Sequence, residues 1–358
     1  MKGLVLILQH KSKRMADKKL VYRMPKAGNI DHLKVVEEDF PAPQSGEVQI
    51  AVKAIGLNFA DIFAMQGLYE ATPKGSFVPG LEFSGQIVAK ADDVTEYNVG
   101  DRVMGATKFG GYVSHLNHNY KYVTKLPDSW SYEQGAGFVV QGLTAYYALK
   151  ELGNLKNNMA VLVQAGAGGV GILANRIAKK FNAFTIGTVS TQKKADFLLN
   201  EQGFDAAIIR DEKNFYHQVK EKLNGRELNI VLETIGGDIF MQSYKAMAPM
   251  GRLITFGSAS FTSNSSRPNM IKTAIKYLRR PKLDIMRMPK SNKSVMGFNL
   301  IWLYDRVDEL QHVLDGLIGL DIEPPHVGHV FEFDQMHEAI ALFRAGKTMG
   351  KVVVKTKD

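Results

Sequence analysis

No cysteine occurs anywhere in the 358-residue sequence, which excludes disulfides, thiolate metal ligands and a cysteine nucleophile. The absence agrees with a reducing compartment, and a cytoplasmic setting is expected. No apolar run approaches the roughly 20 residues that a membrane-spanning helix needs. The opening GLVLIL is short for the apolar part of a signal peptide, and HKSKR stands where a small-residue cleavage site belongs. Residues 1–14 therefore read as a loose N-terminal extension, with the first domain beginning near Met15. Acidic charge is also in deficit, leaving a formal net charge of +9. A basic surface attracts anionic cofactors, anionic lipid or nucleic acid. No nucleic-acid motif stands beside the charge, and no nucleic-acid partner is expected.

What the sequence does contain suits an ordinary globular protein of two domains. The first third is β-rich, with short apolar segments such as EVQIAVKAIGLN, FSGQIVAK and GYVSHL punctuated by Gly and Pro. From about residue 140 the pattern changes. MAVLVQ (159–164), AFTIGTV (183–189), AAII (206–209), NIVLET (229–234), RLITFG (252–257) and SVMGFNL (294–300) read as six strands separated by helical stretches. That alternation predicts an α/β fold with a Rossmann-type, doubly wound parallel sheet. After Leu303 come a helical stretch, DRVDELQHVLDGLIGL, then FEFDQMHEAIALFRAG and a terminal KVVVK strand, a tail expected to pack back on the N-terminal domain. The predicted division is 15–140 plus 303–358 for a β-rich catalytic domain, with a cofactor domain at 141–302 inserted in it.

The strongest local signal is VLVQAGAGGVG, in which Gly166, Gly168 and Gly171 stand in G-x-G-x-x-G register. Together with Ala167, Gly169 and Val170 they form a turn between a strand and a helix. Such glycines permit a tight turn, close approach of backbone to a pyrophosphate, and close packing of helix on strand. The following helix would point free N–H groups and its positive end at the phosphates. An enzyme that prefers NADH places a carboxylate about 20 residues further on. Here the second strand ends Gly187-Thr188-Val189-Ser190, followed by Lys193 and Lys194, with Arg210 closing the third strand. A hydroxyl among cations suits a 2′-phosphate, so NADP(H) is the expected cofactor. The lysines also read as solvated helix positions.

These motifs, with GLNFADIFAMQGLY (56–69), PGLEFSGQIV (79–88), GDRVMG (100–105), QGLTAYYAL (141–149), GRLITFGSAS (251–260), KSVMGFNL (293–300) and GKVVV (350–354), resemble the zinc-independent medium-chain dehydrogenase/reductases. Within these the chain is similar to the quinone oxidoreductases, and among them to the synaptic vesicle VAT-1-like proteins. The resemblance runs from about Met15 to Lys355 and implies that the β-rich domain is GroES-like. Zinc-dependent relatives place a cysteine where Asn58 stands and a His-Glu pair where Leu81-Glu82 stands. Neither this position nor the pairs His115/His118 and His326/His329 offers a zinc ligand set, so no metal is expected.

Without metal, the resemblance implies direct hydride transfer from NADPH to a quinone or an α,β-unsaturated carbonyl. It places Asn58 and Tyr69 as catalytic residues flanking the nicotinamide pocket, with Gln66 near its mouth and Asp61 organising its own loop. Tyr69 either hydrogen-bonds the acceptor oxygen or walls the pocket. Thr144, Phe256, Gly257, Ser258, Phe298 and Asn299 are implied cofactor contacts. Lys351 either reaches the cofactor cleft or serves only its strand. A homodimer pairing through residues 294–300 is also implied. Residues 272–293 depart from the quinone-reductase pattern, carrying eight Lys or Arg and one acid, Asp284. They read as a solvated segment over the cleft or, alternatively, as a peripheral membrane contact of a nucleotide-, lipid- or membrane-binding protein with little reductase activity.

Overall fold

The computed structural model describes residues 18–261, 265–278 and 280–356. The predicted extension at 1–14 lies outside the described residues. Strands β1 (Lys18–Arg23) and β2 (Lys34–Asp39) pair as an antiparallel ribbon. The next segment contributes β3 (Glu47–Gly56), helix α1 (Phe59–Met65), β4 (Glu82–Lys90), β5 (Arg102–Ala106), β6 (His115–Asn119) and β7 (Val123–Lys125). These strands pair antiparallel around a core that includes Ile50, Phe83 and Tyr112. Strands β3 and β4 are buried along most of their length, with half-buried positions between, as central strands of a covered sheet are.

Helices α2 (Tyr132–Gly135) and α3 (Val139–Tyr146) lead into the second sheet, α3 running on through a π-type turn at Tyr147–Leu152. There β8 (Ala160–Val163), α4 (Gly169–Lys179), β9 (Phe184–Val189), α5 (Gln192–Asn200), β10 (Ala206–Ile209), α6 (Phe215–Leu223), β11 (Leu228–Glu233), α7 (Gly237–Ala246) and β12 (Arg252–Thr255) alternate. Helices α8 (Met270–Leu278) and α9 (Met288–Ser291) then precede β13 (Ser294–Gly297). The strand order is β10-β9-β8-β11-β12-β13, and every pairing is parallel. The sheet is thus doubly wound, with the order reversing between β8 and β11, where such folds open a ligand crevice. Its inner strands β8, β9 and β11 are nearly all buried, as a sheet covered on both faces demands.

The tail divides its loyalties. Strands β14 (Val327–Glu332) and β15 (Lys351–Lys355), with α11 (Met336–Arg344) between them, complete the first sheet as β14-β15-β3-β4-β5-β7. Helix α10 (Val307–Ile318) instead buries Leu310, Val313 and Leu317 in the core that holds Leu143 and Leu149 of the α3 region. Its apolar stripe is drawn there because Gly142 lets Leu317 approach closely: a Cβ at Gly142 would stand 2.6 Å from a Leu317 methyl. The tail thus completes the first sheet with two strands and seats α10 in a core that also holds Met104 and Leu126.

Candidate active site

After β8 the chain turns through Ala165, held at φ +52°, and Gly166, whose N–H donates to the Thr188 carbonyl at 2.9 Å. Helix α4 begins at Gly169, so its first N–H groups are free of intrahelical partners and face outward from the loop. A Cβ at Gly171 would lie 2.7 Å from the Gly166 carbonyl oxygen, and one at Gly169 would overlap the Gln141 side chain. Helix and loop therefore pack backbone to backbone, leaving a cradle of amides that accepts a phosphate.

A cavity of about 280 Å³ opens beside this cradle at the point where strand order reverses. The predicted residues Asn58, Tyr69, Thr144, Gly168, Gly169, Val170, Gly171, Phe256, Gly257, Ser258, Phe298 and Asn299 all line it. Gly166 and Ala167 lie in the loop itself and do not line the cavity. Ser190, Lys194 and Arg210 stand apart from it, past the ends of β9 and β10. Ser190 is exposed, Lys194 Nζ donates to the Gly346 carbonyl at 2.7 Å, and Arg210 donates to Thr188 Oγ1 at 3.1 Å. Burial, then the neighbouring Arg210 charge, lowers the Lys194 pKa, so the two cations share one corner. Lys193 is exposed. Gln66 is buried and donates to the Ser265 carbonyl at 2.9 Å, and it does not line the cavity. Aromatic walls that were not anticipated come from Phe59, Phe63, Tyr304 and Phe343.

Asn58, preceding α1, uses its hydrogen-bonding capacity internally. Its amide nitrogen donates to the Gly56 carbonyl (3.3 Å) and Glu82 Oε2 (3.2 Å). Its amide oxygen accepts from Lys351 Nζ (3.1 Å) and, at 3.5 Å, from Gln141. An amide offers two donors and two acceptor sites, and all four are engaged. Tyr69 has one fixed partner, donating to Asn299 Oδ1 at 2.8 Å across the cavity. Burial pushes its pKa up to about 12, so the hydroxyl keeps its proton at neutral pH.

Asp61 is buried one turn into α1, where it accepts from the Asn58 N–H (2.8 Å) and the Tyr112 hydroxyl (3.1 Å). It organises its own loop in this sense. Burial, only partly opposed by these bonds and by Lys351, pushes its pKa up to about 7. An unfolded Asp ionises near 3.9, so the raised value contributes stability below about pH 4 that is lost as pH rises to about 7. Asp61→Asn is therefore expected to flatten the fall in thermal midpoint over that window. An unchanged slope would reject the assignment.

The position of a zinc relative's ligands is filled otherwise. Asn58 and Glu82 close around the Lys351 ammonium, which lies 2.6 Å from Glu82 Oε2, and Leu81 adds no donor. An ammonium among an amide, an alkyl group and one carboxylate does not form a zinc donor set. Among the described residues no three His, Cys, Asp or Glu side chains are arranged to hold a metal. His118 is buried with its Nε2 at 2.8 Å from the Ala106 carbonyl, and burial lowers its pKa to about 4.

Two family models match: the alcohol dehydrogenase GroES-like domain over residues 44–153 and the zinc-binding dehydrogenase over 169–300. The synaptic vesicle membrane protein VAT-1 homolog of Danio rerio is 30% identical over 92% of this chain and 68% of its own length. A quinone oxidoreductase-like protein 2 homolog of Nematostella vectensis is 31% identical over 94% and 90%. A mycobacterial protein solved in complex with NADPH superimposes with a TM-score of 0.80 at 29% identity, covering 94% of this chain and 99% of that one. The first sheet is thus a GroES-like domain, the second a Rossmann domain, and the chain belongs to the quinone oxidoreductase and VAT-1-like members of the medium-chain dehydrogenase/reductases.

Proposed function

We propose that this oxidoreductase uses NADPH to reduce quinones or α,β-unsaturated carbonyls by direct hydride transfer, without zinc. The reading rests chiefly on one observation: the glycine cradle, the Phe256–Ser258 segment and the Tyr69–Asn299 pair converge on a single cavity. The NADPH complex of the mycobacterial neighbour supports the choice of cofactor, and the quinone oxidoreductase-like relatives support the acceptor class. The absence of cysteine agrees with a cytoplasmic setting.

Bound here, the cofactor supplies the hydride, and the chain supplies position and charge. The free amides at the start of α4 would hold the pyrophosphate, while Ser190, Lys194 and Arg210 would take the 2′-phosphate. Thr144, Phe256, Gly257, Ser258 and Phe298 would fix the nicotinamide end. Tyr69, protonated and turned across the cavity, would exchange its bond to Asn299 for one to the acceptor oxygen as negative charge grows there. Asn58 serves by shaping the pocket floor. The division at residues 141 and 302 belongs to the same proposal, as does a homodimer formed through the open edge of β13, which a monomer in sedimentation analysis would refute.

A paired titration with NADPH and NADH, followed by a quinone and enone panel, tests the reading. Arg210→Ala is expected to weaken NADPH binding by roughly 10–100-fold, the loss of about 1.5–3 kcal/mol for a bond to a charged group. NADH binding should move little. Equal loss for both nucleotides would remove the 2′-phosphate assignment.

A second reading is favoured by α8. Ile271, Ala274, Ile275 and Leu278 share one helical face, yet Ile271 is 76% and Leu278 72% exposed. Lys272 and Lys276 lie beside that face, and Ile285 and Met286 extend the exposed apolar surface. A basic amphipathic helix of this kind suits an anionic lipid surface. No helix among the described residues is long and apolar enough to cross a membrane. Co-sedimentation with phosphatidylserine vesicles at physiological salt, abolished by Ile271→Glu with Leu278→Glu, is the expected outcome of this reading. A wild-type chain left in the supernatant would dismiss it.

A further inference from the structure

The geometry points to the buried Lys351–Glu82 ion pair as a pin that registers the glycine loop against the first sheet, making Lys351 a positioning residue for hydride transfer. The inference rests on the function proposed above.

Lys351 opens β15, and its side chain and that of Glu82 are both wholly buried. From this point two separate routes lead to the glycine loop. Along the backbone, the preceding Gly350 donates its N–H to the Ala167 carbonyl at 2.8 Å and bridges to Gly168. Through the side chain, Lys351 holds one oxygen of Glu82 while the other accepts the Val140 N–H at 2.9 Å, at the start of α3. The next residue of α3, Gln141, lies directly on Gly169. The two routes close a ring that contains Lys351, Glu82, α3 and the loop.

The lysine stem reaches Glu82 through a passage that two glycines keep open. A Cβ at Gly56 would stand 2.6 Å from Lys351 Cε, and one at Gly137 would stand 3.1 Å from its Cγ. An unbranched side chain is admitted there, with its charge delivered at the far end. Buried ion pairs are weak sources of stability, because desolvation offsets most of their attraction, and apolar residues of similar volume often serve as well. What such a pair supplies is direction. Charge-assisted hydrogen bonds hold a narrow geometry, whereas apolar contacts tolerate sliding. Hydride transfer is sensitive to that difference, since a misplacement of about 1 Å costs on the order of 100-fold in rate.

The discriminating experiment replaces both partners, Glu82→Met with Lys351→Met, in the full chain. No charge is then left unpaired, and the groups that lose a partner, the Val140 N–H and the Asn58 amide, are neutral, so the thermal midpoint should fall far less than when Lys351 alone is replaced. Hydrogen exchange without nucleotide should nevertheless quicken about tenfold or more at residues 165–171 and at the Gly350 amide, with the inner strands β8 and β11 unchanged. With NADPH and 1,4-naphthoquinone, kcat should fall about tenfold or more while the Kd for NADPH changes less than about threefold. Loop exchange equal to wild type overturns the pin, whatever the activity. Faster exchange with kcat within twofold overturns the positioning role. A wild-type chain that neither binds NADPH nor reduces the quinone refutes the proposed function instead, and the exchange result still decides the pin. Should the double variant not fold, Glu82→Gln removes the charge while retaining the shape, and the same readouts apply.

Discussion

Lys351→Met alone should destabilise the protein by about 3–5 kcal/mol, because it strands the Glu82 carboxylate in the interior. Glu82 would keep only two neutral donors, the Val140 N–H and the Asn58 amide. For a native state stable by about 5–15 kcal/mol, that loss is a large share of the whole. Urea denaturation of wild type and variant at neutral pH checks the loss. A difference below about 1 kcal/mol would mean that the carboxylate is not stranded.

Gly171→Val is the second large effect, and it falls on the cofactor. The added carbons would meet the Gly166 and Ala165 carbonyl oxygens and Gly166 Cα at 2.7–2.8 Å, all of them backbone. Backbone cannot rotate away as a side chain can, so α4 must lift from the loop, carrying its free N–H groups out of line with the pyrophosphate. Overpacking of this kind costs about 1–3 kcal/mol of stability. The larger consequence is for binding, where NADPH affinity should fall about 100-fold with loss of the aligned amides. Calorimetric titration checks the affinity, and thermal denaturation of the apoprotein checks the packing. Gly168→Ala is the milder structural change, since its Cβ would meet only the Ala165 carbonyl, at 3.3 Å. Full NADPH affinity in Gly171→Val would show that the glycine turn serves packing alone.

The nucleotide layer was legible because its signals are local. AAII occupies β10 residue for residue, and AFTIGTV misses β9 by one position at its start. Short, wholly apolar runs between glycine turns leave little choice but buried parallel strands. The SVMGFNL run was read as a strand through residue 300, but β13 stops at Gly297 and the chain turns, carrying Phe298 and Asn299 into the cavity. What could not be read were pairings made across the chain. Tyr69 and Asn299 meet 230 residues apart, and Lys351 and Glu82 meet 269 apart. The one available hint was a charge at the head of GKVVV, where an inward position would ordinarily be apolar. The bond from Gln66 to the Ser265 carbonyl, 199 residues away, was hidden for the same reason. The partner of α10 was not legible either, since an amphipathic helix states that it has a buried face without naming what covers it.

The place of β15 within the first sheet governs how the protein can be made. It lies between β14 and β3, so the C-terminal end of β3 must wait for a neighbour whose Lys351 is 293 residues beyond Asn58. At roughly 5–20 residues per second on the ribosome, that wait lasts about 15–60 s. During that time residues 160–297 emerge as an uninterrupted block, free to close their six parallel strands before the domain they interrupt has its full sheet. The nascent chain thus presents a finished nucleotide layer joined to an unfinished catalytic one. Its period of exposure is set by the Ala54–Gly56 edge, where β15 finally docks.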